Sequence, residues 1–184
     1  MATSKDIRAI EMEERGGALG SAIFRNQGIR TITGTAETTQ FPAAPFNGSL
    51  TLTPEDLSEV GRTIQIVGFG SITTISNPGT ATIRLKIGAV TILLNSATLP
   101  VTAITDGSVR FELWLTITAA GKMRVSGKST LETTSGGGGL VVRALNTTTD
   151  QTITTTSNQV LDYTYQFQNA GNTLTIRDIK VIRY

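Results

Sequence analysis

Trp114 is the only tryptophan of the chain, and it stands on the polar side of a strand. In SVRFELWLTITAAGK, Ser108 to Lys122, the residues Val109, Phe111, Leu113, Leu115 and Ile117 share one face. Arg110, Glu112, Trp114, Thr116 and Thr118 share the other, because strand side chains repeat every two residues. An indole among charges and threonines either stacks on a flat ligand, such as a sugar or a base, or packs at a subunit interface or under a loop. Interfaces are enriched in tryptophan, so packing is the expectation. Tyr163 and Tyr165, in QVLDYTYQF, are in phase with Leu161 and Phe167. Packing in the core or about an oligomer axis is therefore expected of them before a sugar-binding shelf.

The cations Arg84, Lys86, Lys122, Arg124 and Lys128 all occupy polar strand positions. On adjacent strands they would form a surface for an acidic partner, such as an anionic cell-surface polysaccharide. Solubility and protection of sheet edges explain them more simply, and no aromatic residue is interleaved among them as nucleic-acid binding requires. The carboxylates offer little acid/base chemistry. Glu55 and Asp56 begin a helical turn, Glu11, Glu13 and Glu14 lie near the N-terminus, and Glu112 neighbours Arg110 on one strand face. Glycoside hydrolysis needs two carboxylates about 5 to 10 Å apart across a cleft, which is a matter of geometry. GGGG, Gly136 to Gly139, lacks the GK[ST] ending and following helix of a phosphate loop and reads as a hairpin loop.

With no histidine and no cysteine, the chain has no disulfide, thiol nucleophile, histidine base or Cys/His zinc site. We expect no catalytic residue, no cofactor and no metal site. A net charge of +2 from 16 basic and 14 acidic residues argues against nucleic acid as a partner. No apolar run approaches the roughly 20 residues of a membrane helix, and no basic-then-apolar leader opens the chain, so neither membrane insertion nor a secretory signal is expected.

The elements that must position these residues are strands. The chain has 184 residues, 32 of them threonine and 19 glycine, which is a composition of short strands and turns. Residues 1–27 differ from the rest and read as an N-terminal arm, extended or partly helical, for anchoring or oligomerisation. Residues 28–184 read as one domain. Strands are predicted at Ile29 to Thr35, Ser49 to Thr53, Arg62 to Ile75, Thr82 to Gly88, Val90 to Leu94 and from Val109 onward. Others follow in MRVSGKSTLE, LVVRAL, QVLDYTYQF and TLTIRDIKVIRY. FPAAPFNG, Phe41 to Gly48, is a proline-bounded loop, and TPEDL a single helical turn with Thr53 as N-cap and Pro54 at the first position. Asp106-Gly107 is read as a turn, and Gly68 and Gly70 as marks of a bulge or bend. In the last strand Leu174 and Ile176 are out of phase with Ile179 and Val181, so a bulge near Arg177-Asp178 would bury all four. About nine or ten such strands spell an antiparallel β-sandwich.

The layout EVGRTIQIVGFGSITT, then TIRLKIG, then RFELWLTI opening on AAGK, then QVLDYTYQFQNAGNTLTIRDIKVIRY, resembles the jelly-roll domains of tailed-bacteriophage structural proteins of fibre, spike or decoration type. The resemblance covers Ile29 to Tyr184 and implies an all-β antiparallel sandwich of jelly-roll type. It also implies a non-enzymatic virion protein, assembled in the host cytoplasm as a homo-oligomer, commonly a homotrimer. Other virion proteins would be met through the arm, and the host surface and its glycans through the domain. Trp114, Tyr163, Tyr165, Arg84, Lys86 and Arg124 are the candidate interface or ligand residues. A carbohydrate-binding module and the coat protein of an icosahedral shell are the alternatives, with a β-sandwich glycosidase behind them; a shell protein's arm would carry more positive charge than SKDIRAIEMEERGG.

Overall fold

The computed structural model describes residues 21–26, 29–41, 50–132 and 140–184. The helical reading near the N-terminus, nearly all of the FPAAPFNG loop and the GGGG stretch lie outside the described residues. Two antiparallel sheets pack face to face. The larger has eight strands: β1 (Ser21–Asn26), β2 (Arg30–Thr33), β5 (Thr63–Thr74), β8 (Ile104–Ala119), β9 (Lys122–Glu132), β10 (Leu140–Ala144), β11 (Gln151–Thr152) and β13 (Thr173–Arg183). The smaller has five: β3 (Thr38–Thr39), β4 (Leu50–Leu52), β6 (Thr80–Ile87), β7 (Val90–Thr98) and β12 (Gln159–Phe167). Among the described residues one short helix, α1 (Pro54–Ser58), interrupts them. Ser21–Asn26, within the stretch read as an arm, forms β1 and pairs with β13.

The connectivity follows from a ribbon that wraps. β5 pairs with β8 in the large sheet, and their continuations β6 and β7 pair in the small one. The final pair runs alongside, β13 on β5 and β12 on β6. The whole is an all-β antiparallel sandwich of jelly-roll type. Three crossings between sheets meet at one end and are stitched there. Asn77 N–H donates to the Val101 carbonyl (3.0 Å), Leu99 N–H to Gly79 (2.9 Å) and Gln168 N–H to Thr80 (2.9 Å). Asn172, fully buried, joins two of the crossings. Its Oδ1 accepts the Ile75 N–H at 3.1 Å, and its Nδ2 donates to the carbonyls of Pro78 (3.0 Å) and Asn169 (3.1 Å).

Alternation decides what is buried. Val109, Phe111, Leu113, Leu115 and Ile117 all lie in the core, as do Leu161, Tyr163, Tyr165 and Phe167. The Phe111 and Tyr163 rings meet between the sheets at 4.9 Å. The register of β13 against β5 shifts between Ile176 and Asp178, so the expected bulge is present and Leu174, Ile176, Ile179 and Val181 are all buried. Gly70 is opposite Ile176 at that bulge, but β5 itself runs unbroken through both glycines. They serve close approach instead: a Cβ on Gly70 would come within 2.0 Å of the Thr175 carbonyl oxygen, and one on Gly68 within 2.2 Å of the Phe111 ring.

Asp106-Gly107 is no turn. It sits inside β8, where the register against β5 shifts between Ile72 and Thr74 and Asp106 adopts φ 51°. The hydroxyls of Thr73 and Thr74 accept the N–H groups of Asp106 (3.2 Å) and Ile104 (3.1 Å), so paired threonines turn the expected break into a bulge. The real two-residue turn is Gly88-Ala89, with Gly88 at φ 58° and Ile87 opposite Val90, as a hairpin with glycine first requires. α1 starts as expected. Asp56 Oδ2 accepts both the backbone N–H (2.8 Å) and the hydroxyl (2.9 Å) of Thr53.

Asn172→Ala should destabilise the fold by about 2 kcal/mol in denaturant titration, since the buried Pro78 carbonyl and the part-buried Ile75 N–H and Asn169 carbonyl lose their partners. A change below about 0.5 kcal/mol would mean that the crossings are held by packing alone.

Candidate functional site

The two outer faces differ chemically, and the candidate residues divide between them. On the small sheet, β6 presents Arg84 and Lys86, and both converge on Glu37. The Arg84 guanidinium lies 3.4 Å from the Glu37 carboxylate and donates to Gln166 Oε1 at 2.9 Å; Lys86 forms an ion pair with Glu37. Thr164 Oγ1 donates to Glu37 at 2.8 Å. The bond from Lys86 holds the Glu37 carboxyl below its usual range against a smaller upward pull from burial. Beside it, burial pushes the Asp162 carboxyl upward, only partly countered by the Thr39 hydroxyl and by the charge of Lys86. One oxygen of Asp162 is buried without a hydrogen-bond partner.

Arg124 lies on the large sheet and pairs with Asp150 at 2.8 Å; Lys122 donates to the Thr152 hydroxyl at 2.6 Å. The cations of β6 and of β9 thus face opposite sides of the sandwich. They do not make the single cationic surface that adjacent strands would have made, because the ribbon puts β6 and β9 in different sheets. Tyr163 and Tyr165 point inward and are buried, which removes them from any ligand shelf or oligomer axis. Burial raises both phenols, that of Tyr165 to about 12.

Trp114 is half-buried on the outer face of the large sheet. Its ring lies 5.5 Å from that of Tyr184, tilted by 35°, so the chain's own last residue covers part of the indole. Tyr184 Oη donates to Gln65 Oε1 (3.0 Å), and Gln65 Nε2 donates to Glu112 Oε1 (2.7 Å). Gln65 is opposite Trp114 on β5 and is buried beneath this cover. Around the pair polar residues (Gln65, Glu112, Thr116 and Ser126) alternate with apolar ones. Phe69 keeps 50% of its surface exposed, Val67 and Ile182 are half-buried, and the register places Ile182 beside Gln65 and Val67 beside Glu112. Sequence reasoning missed this strip because Val67, Phe69 and Ile182 stand in strands whose other face is also apolar, so no alternation marks them.

On the same face, toward β9 and β10, a hollow of about 280 Å³ is lined by Arg110, Glu112, Lys128, Thr130, Glu132 and Leu140. Arg110 and Glu132 are functional candidates that the alternation of β8 and β9 allowed but did not single out. Glu112 and Glu132 share this hollow, yet Arg110, Lys128 and Glu132 are exposed. The hollow is therefore open to solvent and not a cleft that excludes water. Among the described residues no cluster of His, Cys, Asp and Glu is arranged to hold a metal ion, and no helix is long and apolar enough to cross a membrane.

No protein-family model matches the sequence, and no curated protein matches it. Among solved structures, the chain is similar to the CBM2 module of the evolved Dit of Lactobacillus casei BL23 phage J-1. That match has 10% identity and a TM-score of 0.30 over 89% of this chain and 95% of the other. It is also similar to a structure of infectious bursal disease virus Gx strain (19% identity, TM-score 0.25, 89% of this chain and 42% of that one). A third is the binding domain of botulinum neurotoxin serotype C1 (10% identity, TM-score 0.26, 85% and 44%). The chain spans less than half the length of the last two. These are binding and viral proteins, and all are distant, so the fold assignment rests on the chain's own strand pairing.

Glu37 and Asp162 should give opposite pH signatures. A carboxyl held below its usual value, 4.5 for Glu37, stabilises the fold above that pH and loses this contribution as pH falls. One raised above its usual value, 3.8 for Asp162, favours the fold while protonated and costs stability as pH rises through the raised value. Asp162→Asn should therefore stabilise at pH 7 and not at pH 3, and Glu37→Gln should destabilise more at pH 7 than at pH 3. Both effects are within about 1 kcal/mol because solvent screens them. Melting curves at the two pH values check this, and an Asp162→Asn protein less stable at pH 7 would contradict it.

Proposed function

We propose that this chain is a non-enzymatic structural protein of a bacteriophage virion, of fibre, spike or decoration type. In this reading it assembles as a homotrimer through the outer face of its large sheet. The observation that carries the assembly is the apolar strip of Phe69, Val67, Ile182, Trp114 and Tyr184. Phe69, Val67, Ile182 and the half-covered indole lie on one face of the large sheet, and a second copy of the chain is the occupant that such a strip, with Arg110 and Lys180 among its residues, suits. Trp114 and Tyr184 then form the rigid aromatic centre of the contact, of the kind on which interfaces concentrate their energy. The virion assignment is supported by the layout resemblance of residues 29–184, and by an all-β sandwich that closes its core without a disulfide. Residues 1–27 are assigned to gripping other virion proteins. Assembly takes place in the host cytoplasm, and the exposed domain meets the host surface.

Light scattering on the purified chain should give three times its 19.5 kDa mass, and Phe69→Lys should reduce it to that of a single chain that still melts cooperatively, at a temperature no longer dependent on protein concentration. A wild-type monomer would sink the assembly. Removing residues 1–20 keeps β1 and its ladder to β13. It should leave the number of chains in the assembly and the melting temperature unchanged while abolishing incorporation into particles formed in the host, and incorporation of the truncated chain would remove the gripping role.

A further inference from the structure

We infer that the hollow between β8, β9 and β10 binds a single neutral sugar unit. Arg110 is directly opposite Thr130, and Glu112 directly opposite Lys128, while Glu132 is two residues beyond Thr130 on the same strand face. Opposite charges stand directly or diagonally across the strands, within reach of one another. Among the described residues, however, no ion pair joins any two of the four, although six ion pairs form elsewhere. They surround about 280 Å³ of open space instead. Two cations and two anions leave the lining with no net charge, so neither an anion nor a cation is favoured. A ring bearing vicinal hydroxyls uses both sets at once, accepting from Arg110 and Lys128 and donating to Glu112 and Glu132, and such charge-assisted bonds are the stronger kind.

Glu112 is already fixed. Gln65 Nε2 holds it at 2.7 Å, and Gln65 is itself held by Tyr184 Oη at 3.0 Å, so this acceptor is in place before the ligand arrives. Leu140, 61% exposed, supplies an apolar wall for the C–H face of the ring. The volume is at the lower edge of the roughly 300 to 1,000 Å³ of small-molecule sites, which suits one ring and not an extended chain. The inference goes beyond the proposed assembly and does not depend on it.

The test uses the full chain on immobilised oligosaccharides ending in glucose, galactose, rhamnose or N-acetylglucosamine, with sialylated oligosaccharides beside them. Binding to at least one neutral glycan is expected. It should weaken by about tenfold in Arg110→Ala and in Glu132→Gln, both exposed positions, with melting temperature unchanged in both and oligomer mass unchanged in Glu132→Gln, whose residue lies away from the strip. The inference is overturned if no neutral glycan is retained, if the sialylated ones are preferred, or if binding survives both substitutions. Because mass is read separately, a trimer that binds no sugar and a monomer that does are distinguishable results.

Discussion

Two sheets without a covalent tie depend on how the chain crosses between them, and here three crossings share one end. Asn172 is the group that makes this possible. Its amide satisfies a backbone N–H from one crossing and carbonyls from two, in a place that water does not reach. Backbone polar groups buried without partners cost about 1 to 3 kcal/mol each, so three corners packed together would otherwise be an expensive place to change sheets. Once the corners are fixed, the ribbon of β5–β6 against β7–β8 has a single register. That register lays Phe111 over Gly68 and against Tyr163, and it decides which residues face outward on β8.

What was legible in the sequence is what period two controls. The inward set of β8 and the inward set of β12 could be read because polar and apolar residues alternate without interruption. The bulge in β13 could be read because its two apolar pairs were out of phase, and only an extra residue lets both be buried. Asp106-Gly107 misled for a local reason. The pair has the chemistry of a turn, but the hydroxyls of Thr73 and Thr74, more than thirty residues away in sequence, accept its neighbourhood's N–H groups and keep the strand going. The cations misled for a topological one. Arg84 and Arg124 look alike in sequence, and only the ribbon's path separates them onto opposite faces.

The partners of the candidate residues were beyond reach for the same reason. Glu37 lies in a short segment before β3, and nothing near it announces that it will gather Lys86, Arg84 and Thr164 from two other strands. Tyr184 reaches Trp114 only because β13 passes beside β5, and β5 beside β8. The outcome is a division of labour that composition hides. The face of the small sheet spends Arg84 and Lys86 on the one carboxylate of Glu37. The face of the large sheet leaves Arg110, Lys128 and Glu132 unpaired among the described residues and keeps Phe69 in water.

That asymmetry gives the proposed assembly and the proposed sugar site one physical frame. The strip spans β13, β5 and β8 and the hollow β8, β9 and β10, so the two adjoin on β8, where Arg110 of the hollow is directly opposite Phe69 of the strip. Glu132 and Leu140, on β9 and β10, lie on the side of the hollow away from the strip. Tyr184 connects the two, since its ring shields Trp114 at the strip while its hydroxyl fixes Gln65, and through it the acceptor Glu112 at the hollow. A one-ring sugar site with exposed charges is intrinsically weak, because each group pays to shed its water before it binds. Copies held on one particle engage a glycan-covered surface together, and linked sites gain in avidity by about 10² to 10⁴ without any new contact. On this argument, weak single-site binding is the property expected of a chain that works only in an assembly.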